Sequence, residues 1–121
     1  MSVHRLTAVL AALVCLAGAR PAQPAAMAVP EQDALAEAAA RGEQFAARAC
    51  ANCHAIGPAG VSPMAEATPF RVIVHRYPLD QLEEAFAEGL VTGHPAMPAV
   101  VFRASEIDDL VAYLETVRAA S

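Results

Sequence analysis

A chain of 121 residues with a formal charge of −5 is long enough for one small domain. Its acidic balance argues against a nucleic-acid partner. All eight of its basic residues are arginine, tryptophan is absent, and only 5% of residues are aromatic, so a core built from protein alone would be marginal.

The N-terminus is a short basic segment, Met1 to Arg5, followed by Leu6 to Ala19 without a charge. That apolar run is short of the roughly 20 residues a spanning helix needs. With the small residues Ala17-Gly18-Ala19 and Ala26-Met27-Ala28 beyond it, it reads as a secretory signal, residues 1–28, cleaved after Ala28. Cleavage after Ala19 is the second choice, and an uncleaved membrane anchor the alternative. Cys15 belongs to this leader. The mature domain is then 29–121, in which six arginines face all 13 acidic residues, a formal −7. Such a surface favours a basic partner, although solubility alone would explain it.

Pro30 to Ala49 is rich in Ala, Glu, Gln and Arg, good helix formers. Leu35, Ala38, Ala39, Gly42, Phe45, Ala46 and Ala49 fall on one broad face, so the spacing predicts an amphipathic helix. Gly42 in its interior makes sense where another helix crosses close to the backbone.

The helix runs into Cys50-Ala51-Asn52-Cys53-His54. Two cysteines separated by two residues can reach both vinyl groups of one porphyrin. The following histidine then offers an axial nitrogen to its iron. A thioredoxin-like redox pair would follow a strand, and a structural zinc site needs four ligands, whereas no further cysteine exists outside the leader. The pattern therefore points to one covalent haem c, held by Cys50 and Cys53, with His54 on the iron. Such attachment takes place outside the bacterial cytoplasm, in keeping with the leader.

Ile56 to Ala67 holds Gly57-Pro58, Gly60 and Ser62-Pro63 and reads as a loop. Thr68-Pro69 is expected to cap a short helix over Phe70 to His75, despite the β-branched Val72-Ile73-Val74. Leu79 to Glu88 is a clearer helix, stopped by Gly89. Val91 to Val100 contains Gly93, Pro95 and Pro98 and is irregular. A last helix is expected from Ser105, with Ile107, Leu110, Val111, Leu114 and Val117 as its apolar stripe and Tyr113 at one edge.

For the second axial position the candidates are Met97, His94, His75 and Met64. Met64 follows His54 by only ten residues, a short path to the opposite haem face. Met97 sits in His94-Pro95-Ala96-Met97-Pro98, a stiff non-helical segment suited to presenting a thioether, with His94 as its competitor. His75 reads as a surface or propionate-side residue.

On these residues, from the Gly-containing helix through C-x-x-C-H, Pro63 and the Met-Pro loop to the terminal Glu106–Leu114 segment, the chain resembles the small single-domain class I c-type cytochromes of bacteria. The resemblance implies an all-α fold of a few helices wrapped around one haem, with the first and last helices crossing. Gly42 and Phe45 would then meet Leu110, Tyr113 and Leu114. It assigns Cys50 and Cys53 as thioether anchors, His54 as proximal and Met97 as distal ligand. It also makes the carbonyl of Pro63 the acceptor for the free ring nitrogen of His54. Without Trp, contacts to the propionates fall to Arg71, Arg76 or Tyr77. Without lysine, docking to an acidic patch is disfavoured.

The function this implies is that of a monomeric, periplasmic electron carrier between redox proteins rather than an enzyme, with no small-molecule substrate. A haem subunit fixed in a larger oxidoreductase, or a small haem enzyme with a labile distal ligand, are the alternatives.

Overall fold

The computed structural model describes residues 29–89 and 97–121. Among these are four helices and no strand: α1 (Val29–Ala49), α2 (Phe70–Arg76), α3 (Leu79–Glu88) and α4 (Ala104–Ala120). The expected all-α class is what the chain adopts. The leader, His94 and most of the irregular Val91–Val100 stretch lie outside the described residues.

α1 and α4 form the main packing contact, and α2 and α3 both lie against α4. The first two helical turns of α1 stay in solvent, and Leu35 is 50% exposed. The buried face is therefore narrower than the sequence pattern suggested: Ala39, Gly42 and Ala46, a strip of small side chains. Such a strip lets backbones approach, and α4 comes in closely. A β-carbon on Gly42 would lie 1.9 Å from the Asp109 carbonyl oxygen and 2.9 Å from Cβ of Tyr113. Phe45, one step around the helix, instead stacks on Phe102, with ring centroids 5.6 Å apart. On the solvent side of the crossing, Arg41 donates twice to the Asp109 carboxylate, at 2.9 and 2.7 Å.

α4 buries Ile107, Leu110, Tyr113, Leu114 and Val117. Tyr113 belongs to the core rather than its edge, while Val111 is half-buried. The helix begins a residue before Ser105. Glu106 reaches back to accept the Arg103 backbone N–H at 2.9 Å and the Arg103 guanidinium at 2.8 Å. The carboxylate thus satisfies an amide at the helix start with a charge-assisted partner beside it.

The segment Val72-Ile73-Val74 is helical after all, because Phe70 and Val74, four residues apart, are both buried. Burying that face outweighs the weak β preference of its residues. α2 and α3 share an entry device: Pro69 and Pro78 are their N-caps, extended at ψ 146° and 141°. α3 closes on Gly89, whose φ of 82° suits a residue without a β-carbon.

Candidate cofactor site

Cys50 follows the last residue of α1, and its amide still donates to the Ala46 carbonyl at 2.9 Å. The next turn closes on the same carbonyl group of Cys50, which accepts from the amides of Cys53 (3.1 Å) and His54 (2.9 Å). This tight turn gathers both thiols and the imidazole on the wall of one cleft of about 1010 Å³. That is the upper end of the range for small-molecule and cofactor sites. Ile73, Leu82, Phe86, Phe102, Leu110 and Leu114 make most of the wall apolar.

Cys50 and Cys53 are not joined to each other by a disulfide. Before any thioether forms, burial, and to a lesser extent the neighbouring Cys53, pushes the Cys50 thiol up to about 11. No group of three or more His, Cys, Asp or Glu side chains among the described residues has the spacing to hold a metal ion. The donor set of a structural zinc site is therefore not assembled by them.

His54 is held from behind. Its Nδ1 lies 2.7 Å from the Thr68 carbonyl oxygen. A carbonyl only accepts, so Nδ1 carries a proton here, and in the neutral ring Nε2 is the nitrogen with the free lone pair. The ring also lies against buried Phe70, centroids 5.7 Å apart.

The acceptor was expected to be Pro63, and this is corrected: it is Thr68. From Gly57 the chain swings outward through Gly60, at φ 97°, and Pro63 is exposed. The chain touches the His54 turn again at Ser62 and Met64, and reaches its imidazole near α2, where the Phe70 amide donates to the Ala55 carbonyl at 2.9 Å. That bridge sets Thr68 opposite His54. Thr68 is not the side-chain cap expected of it either, since α2 has none and its N-cap is Pro69. A residue preceding proline is biased to extended backbone, which turns its carbonyl away from the helix. A backbone acceptor leaves no residue-type signal; the Thr68-Pro69 pair was the only hint.

Met97 is half-buried and lines the same cleft, followed by Val100 and Phe102. The stretch alternates, with Val101 between them 93% exposed. Phe102 sits between Phe45 and Phe86, its ring 4.9 Å from the latter. Met64 also lines the cleft, at 37% exposure.

At the rim, Arg76, Tyr77 and Gln81 belong to the wall, with Glu88 on α3. Arg71 does not: its guanidinium donates to the Gly60 carbonyl at 2.6 Å and walls a separate hollow. His75 lies outside the cleft, 3.0 Å from the Ser121 hydroxyl at the end of α4. That hydroxyl donates to Val117, so His75 Nε2 is the donor.

Comparison with known proteins bears on what the cleft holds. The family model described as cytochrome c matches residues 39–118. The chain is 31% identical over 93 residues to cytochrome c-552 of Bradyrhizobium diazoefficiens, covering 77% of this chain and 88% of that protein. No solved structure matches significantly.

Proposed function

Because this chain belongs to the cytochrome c family, we propose that it carries single electrons between redox proteins outside the cytoplasm, with His54 and Met97 as the iron's axial ligands. The haem c is covalent, through Cys50 and Cys53. The observation that carries the proposal is one apolar cleft of about 1010 Å³ lined by Cys50, Cys53, His54 and Met97 together.

Bound haem supplies an iron that exchanges one electron between ferric and ferrous states. Cys50 and Cys53 would hold the porphyrin through thioether bonds to its two vinyl groups. His54 offers Nε2, and the Thr68 carbonyl on Nδ1–H fixes the ring and makes it a stronger donor. Met97 offers a soft sulfur, which favours the ferrous state. The apolar side chains of α2, α3 and α4 exclude water and disfavour the more highly charged ferric state, in the same direction. Arg76, with Tyr77 and Gln81 beside it, suits the propionates better than Arg71, which is committed to Gly60. A clearly positive reduction potential follows.

The partner proposed is a redox protein with a basic docking surface. α3, which forms part of the cleft wall, exposes Asp80, Glu83, Glu84 and Glu88, and the chain has no lysine. Export rests on the leader, residues 1–28; no described helix is long and apolar enough to cross a membrane.

The test is an absorption spectrum of the exported protein. The reduced form should show a c-type α-band, and the oxidised form a weak near-infrared sulfur-to-iron band. Met97→Ala should abolish the near-infrared band and open the iron to carbon monoxide. Survival of the band in that variant would move the role to Met64.

A further inference from the structure

We propose that Ser62 is a positioning residue for His54, acting through the peptide that joins His54 to Ala55. The inference rests on the haem reading above and goes beyond it.

The acceptor for His54 is a backbone carbonyl, so no side-chain substitution removes it. Its place is set by the loop that carries it. Little of that loop is held by packing: Ala67 near its end is buried, but Val61 is 89% exposed, and Pro63 to Glu66 are all exposed. It is held by polar bonds. The Met64 amide donates to the Cys53 carbonyl at 3.2 Å, and the Phe70 amide to the Ala55 carbonyl at 2.9 Å. The Arg71 guanidinium holds Gly60 at the outer end. Only one side chain of the loop reaches the His54–Ala55 peptide: the Ser62 hydroxyl, which accepts the Ala55 N–H at 3.0 Å.

The Ala55 peptide groups are thus pinned from both directions, N–H by Ser62 and C=O by Phe70. The imidazole leaves the chain one residue earlier, and the carbonyl it must meet lies at the far end of the same loop. Pro63 has its use here, because a residue before proline is restricted to extended backbone and Ser62 loses less freedom on docking. Ser62-Pro63 therefore serves the histidine through the serine hydroxyl.

Removing that hydroxyl leaves the Ala55 N–H half-buried without its acceptor and frees the peptide behind the ring. The Nδ1–H···O=C bond then weakens, His54 becomes a poorer donor to ferric iron, and the potential rises. The experiment uses the full chain, exported and haem-loaded, as wild type, Ser62→Ala, Ser62→Thr and Arg71→Gln. Midpoint potential and the proton resonances of the His54 ring are measured in each.

Ser62→Ala should raise the potential and speed exchange of the Nδ1 proton; Ser62→Thr should restore both. Arg71→Gln, which loosens only the outer end of the loop, should lower thermal stability without moving the potential. Wild-type potential and ring signals in Ser62→Ala overturn the proposal, as does an equal shift in Arg71→Gln. Where Ser62→Ala does not accumulate, Ser62→Thr against Ser62→Val, which differ at the hydroxyl, carries the same contrast. Failure of the underlying haem reading looks different: the wild-type polypeptide would lack the added mass of a porphyrin.

Discussion

Replacing Gly42 by alanine sets two physical arguments against each other. Helix propensity alone favours the substitution by about 1 kcal/mol, since glycine weakens a helix interior. The crossing opposes it. The new β-carbon would lie 1.9 Å from the Asp109 carbonyl oxygen and 2.5 Å from its carbon, both backbone atoms that cannot swing aside. Restoring an ordinary contact of 3.4 Å requires α1 and α4 to separate by about 1.5 Å at this point. A gap of 0.5–1 Å already forfeits roughly a quarter to a half of each dispersion contact. The neighbours that would lose contact, Ala46, Leu110 and Leu114, are among the most buried residues described. Overpacking of this kind costs about 3 kcal/mol, at the upper end of the usual range. Net of the propensity gain, Gly42→Ala should destabilise the domain by about 2 kcal/mol, a fall in Tm of roughly 8–16 °C for a domain of this size. Thermal melting of the haem-loaded protein, followed by far-ultraviolet circular dichroism, measures it. An unchanged or higher Tm would refute the close crossing and leave propensity as the governing effect.

Two further outcomes follow from the same packing. Tyr113→Phe removes the hydroxyl that donates to the Ile56 carbonyl at 3.2 Å; it should cost about 1 kcal/mol and lower Tm by roughly 4–8 °C, while an unchanged Tm would show the bond to be replaced by water. Glu106 is held below the usual carboxylate range first by its side-chain bond to Arg103, then by the Arg103 amide. A depressed folded-state pKa stabilises above the ordinary value, about 4.3, and that contribution is lost as pH falls through and below it. Melts of wild type and Glu106→Gln should therefore differ at pH 7 and converge in acid; a gap that persists at pH 3 would contradict the assignment.

Much of the site could be read from the chain, because covalent and coordinate chemistry is tied to residue type. Cys50 and Cys53 have few substitutes as haem c anchors, and the ligand roles proposed for His54 and Met97 rest on side chains of equally specific chemistry. The helices over 29–49, 79–88 and the C-terminal segment were legible from periodicity, as was the need for Gly42. Less legible were choices made by backbone atoms and by competition between neighbours. The acceptor for His54 proved to be Thr68 rather than Pro63, and any residue could have supplied that carbonyl. α4 begins at Ala104 rather than Ser105, with Glu106 reaching back to the Arg103 amide and guanidinium.

The amino-acid order alone determined which atoms can bind a porphyrin, where the first, third and last helices lie, and the acidic, lysine-free character of the chain. These depend on chemical type and local periodicity, which do not need a fold to exist. Only the tertiary structure decided how narrow the buried strip of α1 is, which arginine reaches the cleft, and which carbonyl steadies the histidine. Each of those depends on where two distant stretches of backbone come to lie side by side, and that is settled by helix packing against α4 and by the polar bonds of the loop after His54 rather than by any residue's own preference.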